Sequence, residues 1–426
     1  MTATVAPAPQ GGGGTGCAAD RPLDGRRGCL LSQKYLLDRP AGSTTYLRHV
    51  ALALRSAGLA LDYLALKGAP ALFPARQPAF GLESVRARGA RRLGPVNLRP
   101  GELRKALLRH RSASDEGSPA TAPQWSLRTP DARERDFLQT RLAVRPPEVV
   151  IANYFTMAAA FDLPAARRAV KVVLTHDVFG RRREAFRRFG LRADLPDELI
   201  DGELLFLRQA DIVVAIQEND RRWLQERLPA ARVVCLSYWP EPRFCRSEPA
   251  APECLFVGAD SFVNRHGLAW LLERVWPMVR AAVPSARLRL CGPLVAEGLP
   301  AVDGVEFAGV VPSLAVAYER AAVAVVPLLI GSGLKIKTME ALAFGRPVVT
   351  TPEGAEGLPQ GLLQQLQPLD DPAALAGRLV RLLSDRDERR RTEARQREAF
   401  VAAGPAAAGA TELCAAIDGL LANRRI

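Results

Sequence analysis

Two lysines and a glutamate follow a glycine-rich turn in the second half of the chain. Residues 326–350 read VPLLIGSGLKIKTMEALAFGRPVVT. The glycines at 331–333 allow a close backbone turn and predict a helix start, whose free amide groups and positive dipole end attract anions. Lys335 and Lys337 add full positive charge to a first turn in which the dipole favours acids. The pattern therefore predicts an anion site, with Glu340 about two turns into the helix.

Buried strands flank this helix on both sides. The apolar run at 322–328 is typical of a parallel strand that is covered on both faces. Gly345 predicts the end of the helix, and Pro347 opens a second strand at Val348 and Val349. A strand, glycine turn, helix and strand in this order predict one unit of a parallel α/β sheet.

These residues carry a family resemblance. The run EALAFGRPVV, which starts at Glu340, resembles the E-A-x-A-x-G-x-P-V-V hallmark of the group 1 family of retaining GT-B glycosyltransferases. The resemblance is best across residues 254–358 and thinner across residues 29–216. It implies a nucleotide diphosphate-sugar as co-substrate, with Glu340 binding the ribose hydroxyls of the donor.

The same resemblance implies a diphosphate site at the start of this helix, made by Ser332, Gly333, Lys335 and Lys337. Many family members carry another glutamate eight positions before the first one, but Ser332 stands there in this chain. The segment matches a G-x-G-x-K-x-K variant instead, which leaves the sugar open.

A second loop is expected to reach the donor diphosphate. Residues 254–258 predict the first strand of the second domain, and the loop after it leads to Asn264 and Arg265. In the family this loop supplies basic or amide side chains, so Arg265 is the first positional match and Asn264 the second. A guanidinium suits bidentate phosphate contact, although Arg265 at a helix start also fits a purely structural role.

The first domain is expected to face the acceptor. His176 and Asp177 follow a predicted buried strand, and ligands bind at such carboxyl ends in open α/β sheets. By the resemblance, His176 lies near the transferred sugar and could donate a hydrogen bond to a sugar hydroxyl, while Asp177 orients it or faces the acceptor. Gly42 and Ser43 match the family's first glycine loop, and Ser43 also fits a helix N-cap.

The resemblance implies sugar transfer with retained anomeric configuration. Preorganised amides and cations would stabilise the departing diphosphate, so neither a metal nor a cofactor is expected. Asp385 and Asp387 have D-x-D spacing but lie in a charged, helical stretch. No pair of carboxylates stands out for a double displacement, which favours attack on the front face, with the donor phosphate accepting the proton.

Alternating strand and helix patterns predict an α/β, GT-B architecture: two Rossmann-like, doubly wound parallel-sheet domains that face a cleft. We predict a disordered tail at 1–27, an acceptor-side domain at 28–240 with a flexible basic insertion at about 86–147, and a donor domain at 250–400. The insertion is richest in Ser, Pro, Gly and Ala at 112–123. Residues 401–426 are expected to form a helix that crosses back to the first domain.

Composition is that of a globular protein of 426 residues with 48% hydrophobic residues. Residues 1–27 lack the pattern of a secretory signal, and seven cysteines without a C-x-x-C pair give no disulfide framework or zinc site. We therefore predict a cytoplasmic location. Basic residues are unevenly placed, with 14 Lys and Arg against 6 Asp and Glu between Arg86 and Arg145 and a second cluster at 181–188.

The net charge of +13 allows two interpretations. The basic clusters either attract an anionic membrane surface or acceptor, which would place the protein at the inner face of the membrane, or form an arginine-rich solvated face. Nucleic acid is not expected as a partner, because neither cluster interleaves aromatic residues. The acceptor stays open between a lipid-linked glycan, a small molecule and a protein.

Two alternatives share the predicted fold. A nucleotide-sugar 2-epimerase would bind the same donor and need no acceptor. A catalytically inactive binding or scaffolding subunit fits the serine at position 332 and the altered first loop, Ala41-Gly42.

Overall fold

A computed structural model describes residues 21–35, 42–109, 128–294, 296, 298–407 and 410–424. Three parts of the prediction lie outside this range: residues 1–20 of the tail, the segment 112–123, and residues 40 and 41 of the loop that leads to Gly42.

The secondary structure alternates between strands and helices from one end to the other. The strands are β1 Arg27–Lys34, β2 Ala60–Lys67, β3 Leu72–Pro74, β4 Leu82–Ala87, β5 Arg91–Leu93, β6 Val96–Leu98, β7 Val149–Asn153, β8 Val170–Leu174, β9 Ile212–Ala215, β10 Arg232–Cys235, β11 Glu253–Val257, β12 Arg287–Cys291, β13 Val305–Gly309, β14 Val323–Val326 and β15 Val348–Thr350. The helices are α1 Gly42–Ser56, α2 Pro100–Arg109, α3 Ala132–Val144, α4 Phe179–Arg188, α5 Asp197–Leu207, α6 Glu218–Arg227, α7 Phe262–Trp270, α8 Trp276–Ala282, α9 Leu314–Arg320, α10 Ile336–Phe344, α11 Gln360–Leu366, α12 Pro372–Ser384, α13 Arg386–Ala407 and α14 Ala410–Asn423.

Two parallel sheets confirm the predicted doubly wound α/β fold. The first sheet has the order β10-β9-β8-β7-β1-β2-β4, and the second has the order β13-β12-β11-β14-β15. In each sheet the chain adds strands first on one side of the initial strand and then on the other. The change of side falls between β1 and β7 in the first sheet and between β11 and β14 in the second. Ligands bind at the carboxyl ends of the strands beside such a switch point.

The central strands are buried on both faces. Every residue of β7 and of β14 is buried, as their continuous apolar sequences predict. Trp276, with no exposed surface, anchors the core that packs α7, α8 and α12 on the second sheet.

The described parts of residues 86–147, where the sequence predicts a flexible insertion, contain short strands and helices. Strands β3, β6 and β5 form a small antiparallel sheet, and α3 follows after residues 110–127. Helix α3 begins with a reciprocal capping box between Asp131 and Glu134. The basic composition of this segment predicts flexibility, but part of its charge is paired in the fold. Arg128 contacts the buried Glu134 carboxylate at 2.8 Å.

The end of the predicted tail is also ordered. Leu23 is fully buried in the first core, and its backbone N–H donates to the Ala57 carbonyl at 2.9 Å. Arg26 pairs with Glu148 at 2.5 Å. Residues 21–26 therefore lead directly into β1, because one apolar side chain and one ion pair fix them.

The last helices return the chain to the first sheet. Helix α13 runs to Ala407, so the crossing element is α14 and not the whole of residues 401–426. Helix α14 packs against α1 and strands β8, β9 and β10, and Arg424 beyond it pairs with Asp211 at 2.8 Å. None of the helices within the described range has the length and apolarity needed to span a bilayer.

Strand β15 lies at the edge of the second sheet, and a side chain from α13 covers part of that edge. The side-chain oxygen of Gln396 accepts from the Val348 N–H at 2.8 Å, and its amide group donates to the Val348 carbonyl at 3.2 Å. Gln396 is 2% exposed. Its amide therefore replaces the missing neighbour strand at this residue.

We expect Gln396→Ala to destabilise the second domain by about 2 kcal/mol, because two buried backbone groups lose their partners. The melting temperature of that domain should fall by roughly 5 °C in calorimetry. Gln364, which is exposed on α11, provides the matched control. Equal melting temperatures for Gln396→Ala and Gln364→Ala would contradict the edge-covering role.

Candidate active site

The two halves of the predicted site meet where β8 and β14 end. Gly333 follows β14 with a φ of +70°, and a Cβ atom there would lie 3.0 Å from the His176 carbonyl oxygen. The Ser332 hydroxyl donates to the Asp177 carboxylate. The structure thus brings together residues that lie more than 150 positions apart in the sequence, and glycine at 333 permits the approach.

His176 is held in a strained and buried turn. Its φ is +54°, which is rare for a residue other than glycine, and the Asp177 N–H donates back to the Thr175 carbonyl at 2.5 Å. The imidazole stacks on Tyr154 with 4.4 Å between ring centroids. Burial lowers the pKa of His176 to about 3, so the ring is neutral at physiological pH.

Asn153 fixes the tautomer of this histidine. The Nε2 atom of His176 lies 2.5 Å from Oδ1 of Asn153, whose amide nitrogen donates to Ser32 Oγ at 3.1 Å. An amide oxygen only accepts, so the imidazole proton sits on Nε2 and points at Asn153. This corrects the expectation that the ring donates to a sugar hydroxyl: Nε2 is occupied, and Nδ1 carries the lone pair.

Asp177 does not orient His176, contrary to one predicted role. Its carboxylate accepts from Arg182 at 3.2 Å and from Ser332. Arg182 is itself held by Asp194 through two bonds of 2.7 Å. Asp177 is therefore a fixed anion that connects the first half to the glycine turn, and Asn153 takes the orienting role.

Helix α10 starts later than the sequence predicts. Its first residue is Ile336 and Lys335 occupies the N-cap, so the amides of Ser332 and Gly333 belong to the preceding turn. Gly331 and Gly333 both have positive φ, which a right-handed helix cannot include. The helix-end amides that could meet an anion are therefore those of the first turn after Lys335.

Lys335 has partners other than a donor phosphate. Its ammonium contacts Glu353 at 2.7 Å and Glu356 at 3.3 Å, and it donates to the Gly333 carbonyl at 2.9 Å. A buried cation with this many acceptors is compensated by the protein. The predicted phosphate role does not fit these contacts, because Glu353 and Glu356 already neutralise the ammonium. Both glutamates lie beyond the segment that carries the motif.

Lys337 has a different environment from Lys335. Its ammonium donates to the side-chain oxygen of Asn264 and lies 5.0 Å from the centre of the Phe256 ring. Neither partner carries a negative charge. Burial, together with the charge of Lys335, lowers the pKa of Lys337 to about 7. This lysine, with Asn264 beside it, is the cation that could gain most from an anionic ligand.

Glu340 lies in the second turn of α10, one turn beyond Lys337. Burial raises the pKa of its carboxyl to about 7, against the opposing effect of Lys337. Burial, and then the charge of Glu340, raises the pKa of Tyr238, which lies in the segment that joins the two sheets. A half-buried carboxylate can accept hydrogen bonds from a polyol.

The remaining predicted donor residues are Gly42, Ser43 and Arg265. A Cβ atom on Gly42, the first residue of α1, would lie 3.3 Å from the Ile336 side chain, so the starts of α1 and α10 face each other. Ser43 is inside α1 and not at its N-cap, and it hydrogen-bonds to the Tyr154 hydroxyl. Arg265 pairs with Asp260 at 2.5 Å.

Sequence reasoning missed four residues that shape this site: Asn153, Tyr154, Arg181 and Glu356. Asn153 is the last residue of β7 and Tyr154 follows it, which is the same carboxyl-end signal that led to His176. No local signal marks Arg181 and Glu356, because their partners lie in the other half of the chain.

Comparison with known proteins agrees with this geometry. Residues 251–385 match the family model described as "Glycosyl transferases group 1". No curated protein sequence matches the chain.

Solved structures match nearly the whole chain. Sucrose-phosphate synthase from Thermosynechococcus elongatus has a TM-score of 0.65 at 19% identity, covering 93% of this chain and 100% of its own. HepE from Anabaena, in complex with UDP and glucose, has 0.61 at 12% identity, covering 93% and 99%. The pneumococcal O-GlcNAc transferase GtfA, in complex with UDP and GlcNAc, has 0.62 at 10% identity, covering 94% and 99%. The chain thus has the two-domain GT-B fold, and its residues 251–385 are similar to the group 1 glycosyltransferase model.

Proposed function

We propose that this protein is a retaining glycosyltransferase that moves a sugar from a nucleotide diphosphate-sugar to an acceptor without a metal ion. The observation that carries the proposal is the contact between the two halves of the cleft. The donor-side glycine turn lies against the His176–Asp177 turn of the acceptor side, through the Ser332–Asp177 hydrogen bond and the close approach of Gly333. A sugar bound at this junction would face both domains.

The donor nucleotide would bind along α10. Glu340 would accept from the ribose hydroxyls, and the diphosphate would lie at the helix start near Lys337, Asn264 and the first-turn amides. Among the described residues Lys337 forms no salt bridge, and the only negative charge that acts on it from nearby is that of Glu340, which suits it to pair with an anionic diphosphate. UDP is the first nucleotide to test, because the HepE and GtfA structures contain it.

The transfer step would take place on one face of the sugar. The bond from the anomeric carbon to the donor phosphate breaks, and the bond to the acceptor oxygen forms on the same face. The acceptor proton passes to the departing phosphate oxygen. Asp177 is the nearest carboxylate to the junction, but Arg182 and Ser332 engage both of its oxygens. It therefore serves poorly as a covalent nucleophile, which supports front-face attack over double displacement.

Association with an anionic membrane stays a prediction. Within the second basic cluster, Arg181, Arg182 and Arg183 are paired with acids of the same protein, whereas Arg187 and Arg188 are exposed. Only the last part of that cluster supports the membrane interpretation.

A thermal-shift screen with UDP, GDP, ADP and their sugar conjugates tests the proposal. A ligand that binds only the folded protein raises its melting temperature. We expect one nucleotide to do so equally with and without magnesium, and its sugar conjugate to be turned over when acceptor is supplied. Donor-only conversion to an epimer would identify the epimerase alternative, and binding without turnover would identify an inactive subunit.

We expect Glu340→Ala to weaken UDP binding by roughly 10- to 100-fold in isothermal titration, because about 1.5–3 kcal/mol of charge-assisted hydrogen bonding to the ribose is lost. The matched control is Glu398→Ala, a glutamate exposed on α13. Unchanged affinity in the Glu340 variant would remove this residue from the nucleotide site.

We expect UDP binding to take up a proton near pH 8. The Lys337 ammonium, with a pKa of about 7, is mostly neutral there, and an anionic diphosphate raises that pKa. Affinity is then greatest below pH 7 and falls as pH rises toward the pKa of the complex. Titration calorimetry in two buffers of different ionisation enthalpy measures the uptake. Subtracting the result for Lys337→Gln isolates this group from Glu340, and equal uptake in both proteins would contradict the assignment.

We expect His176→Asn to lower kcat by roughly 100-fold, because the fixed imidazole, whose Nδ1 lone pair can accept from a sugar hydroxyl, is lost, with UDP affinity changed less than about threefold. Asparagine tolerates the positive φ of this position, so the variant should keep the fold. Steady-state kinetics and UDP titration separate the two effects. Normal turnover would exclude His176 from the reaction.

A further inference from the structure

Five charged side chains join the two domains beside the candidate active site. We call them the cross-domain ionic cluster: Arg181 and Asp220 from the first domain, and Lys335, Glu353 and Glu356 from the second. All five are buried or half-buried, and none is required by the proposed contacts to the donor.

Arg181 is the bridge of this cluster. It lies in the first turn of α4, and its guanidinium contacts Asp220 on one side and Glu356 at 2.5 Å on the other. The Asp220 side chain has no exposed surface. Arg181 is therefore the cation that holds two buried carboxylates from different domains.

The contacts form a closed circuit that includes the glycine turn at 331–333 and the His176–Asp177 turn. From Arg181 they run to Glu356, from Glu356 to Lys335, and from Lys335 to the carbonyls of the glycine turn. Ser332 of that turn donates to Asp177, four residues before Arg181 in the chain. Opening the cleft would break the Arg181–Glu356 and Ser332–Asp177 contacts together.

Further contacts fix the two segments that carry Arg181 and Glu356. The carboxylate of the buried Glu203 accepts from the N–H groups of Phe179 and Gly180, each at 2.9 Å, and so fixes the start of α4. On the other side, a Cβ atom on Gly357 would lie 2.7 Å from the Gln217 side chain. The loop that carries Glu356 is thus in close contact with the first domain.

We propose that Arg181 is a positioning residue for sugar transfer: through Glu356 and Lys335 it holds the donor-side glycine turn in register with His176 and Asp177. Without this guanidinium, Asp220 loses its cationic partner and Glu356 keeps only Lys335, so the ionic link between the two domains is lost at this point. The inference rests on the proposed transferase function for its kinetic consequence, but not for its structural one.

Arg181→Gln tests the proposal, with Arg183→Gln as matched control, since Arg183 lies on the same helix and pairs with the exposed Asp201. We expect the radius of gyration from X-ray scattering to increase in the Arg181 variant only. UDP affinity should stay within about threefold of wild type, because Glu340 and Lys337 lie outside the circuit. Turnover of the UDP-sugar should fall by more than about tenfold, in line with the cost of small misplacements.

Glu356→Gln and the double variant complete a double-mutant cycle. If the two residues act as one pair, the double variant loses no more turnover than Arg181→Gln alone. Additive losses would overturn the proposal, and so would an unchanged radius of gyration with wild-type turnover in the Arg181 variant. Equal losses of UDP affinity and turnover would also overturn it, because they would indicate general damage to the fold.

Failure of the proposed function gives a different result. Wild-type protein would then transfer sugar from none of the UDP, GDP and ADP conjugates, while the scattering comparison would still decide whether Arg181 holds the domains together.

Discussion

The site depends on the close approach of two backbone turns from different domains. Gly333 lies against the His176 carbonyl where a Cβ atom would be 3.0 Å away, and Ser332 binds Asp177. This approach explains why the turn needs glycine and why α10 starts only at Ile336. It also sets the place of Lys335, which donates to two carbonyls of the same turn. The start of α10 and the His176–Asp177 turn are therefore parts of one arrangement.

The two lysines of the motif show how burial and partners decide the role of a charge. They are two positions apart, yet Lys335 is enclosed by two glutamates and two carbonyls, whereas Lys337 meets an amide and an aromatic ring. The pKa of Lys335 is raised by its carboxylate partners in spite of burial, and that of Lys337 falls to about 7. The first lysine therefore stabilises the turn, whereas binding of an anion would stabilise the charged form of the second.

The turns that follow β7 and β8 concentrate strain and burial in the same few residues. His176 and Tyr154 both have positive φ, and their rings stack at the ends of neighbouring strands. Such conformations cost about 1–3 kcal/mol each and persist where surrounding contacts fix them. Asn153, Ser32 and Ser43 supply these contacts. The histidine ring is neutral and held as a single tautomer, which suits it to positioning more than to proton transfer.

The sequence by itself determined the α/β class, most strand positions and the helix that carries Glu340, because buried parallel strands and glycine-bounded helices leave local patterns. It also identified His176 and Asp177, since both follow a buried strand. Tertiary structure decided the rest: that α10 begins after Lys335, that Asn153 and not Asp177 orients the histidine, and that Lys335 pairs with Glu353 and Glu356. Arg181 and Glu356, 175 positions apart, could be linked only by the folded chain. Hydrogen-bond partners and charge compensation depend on distances in space, and local sequence patterns do not determine the distance between residues that lie far apart in the chain.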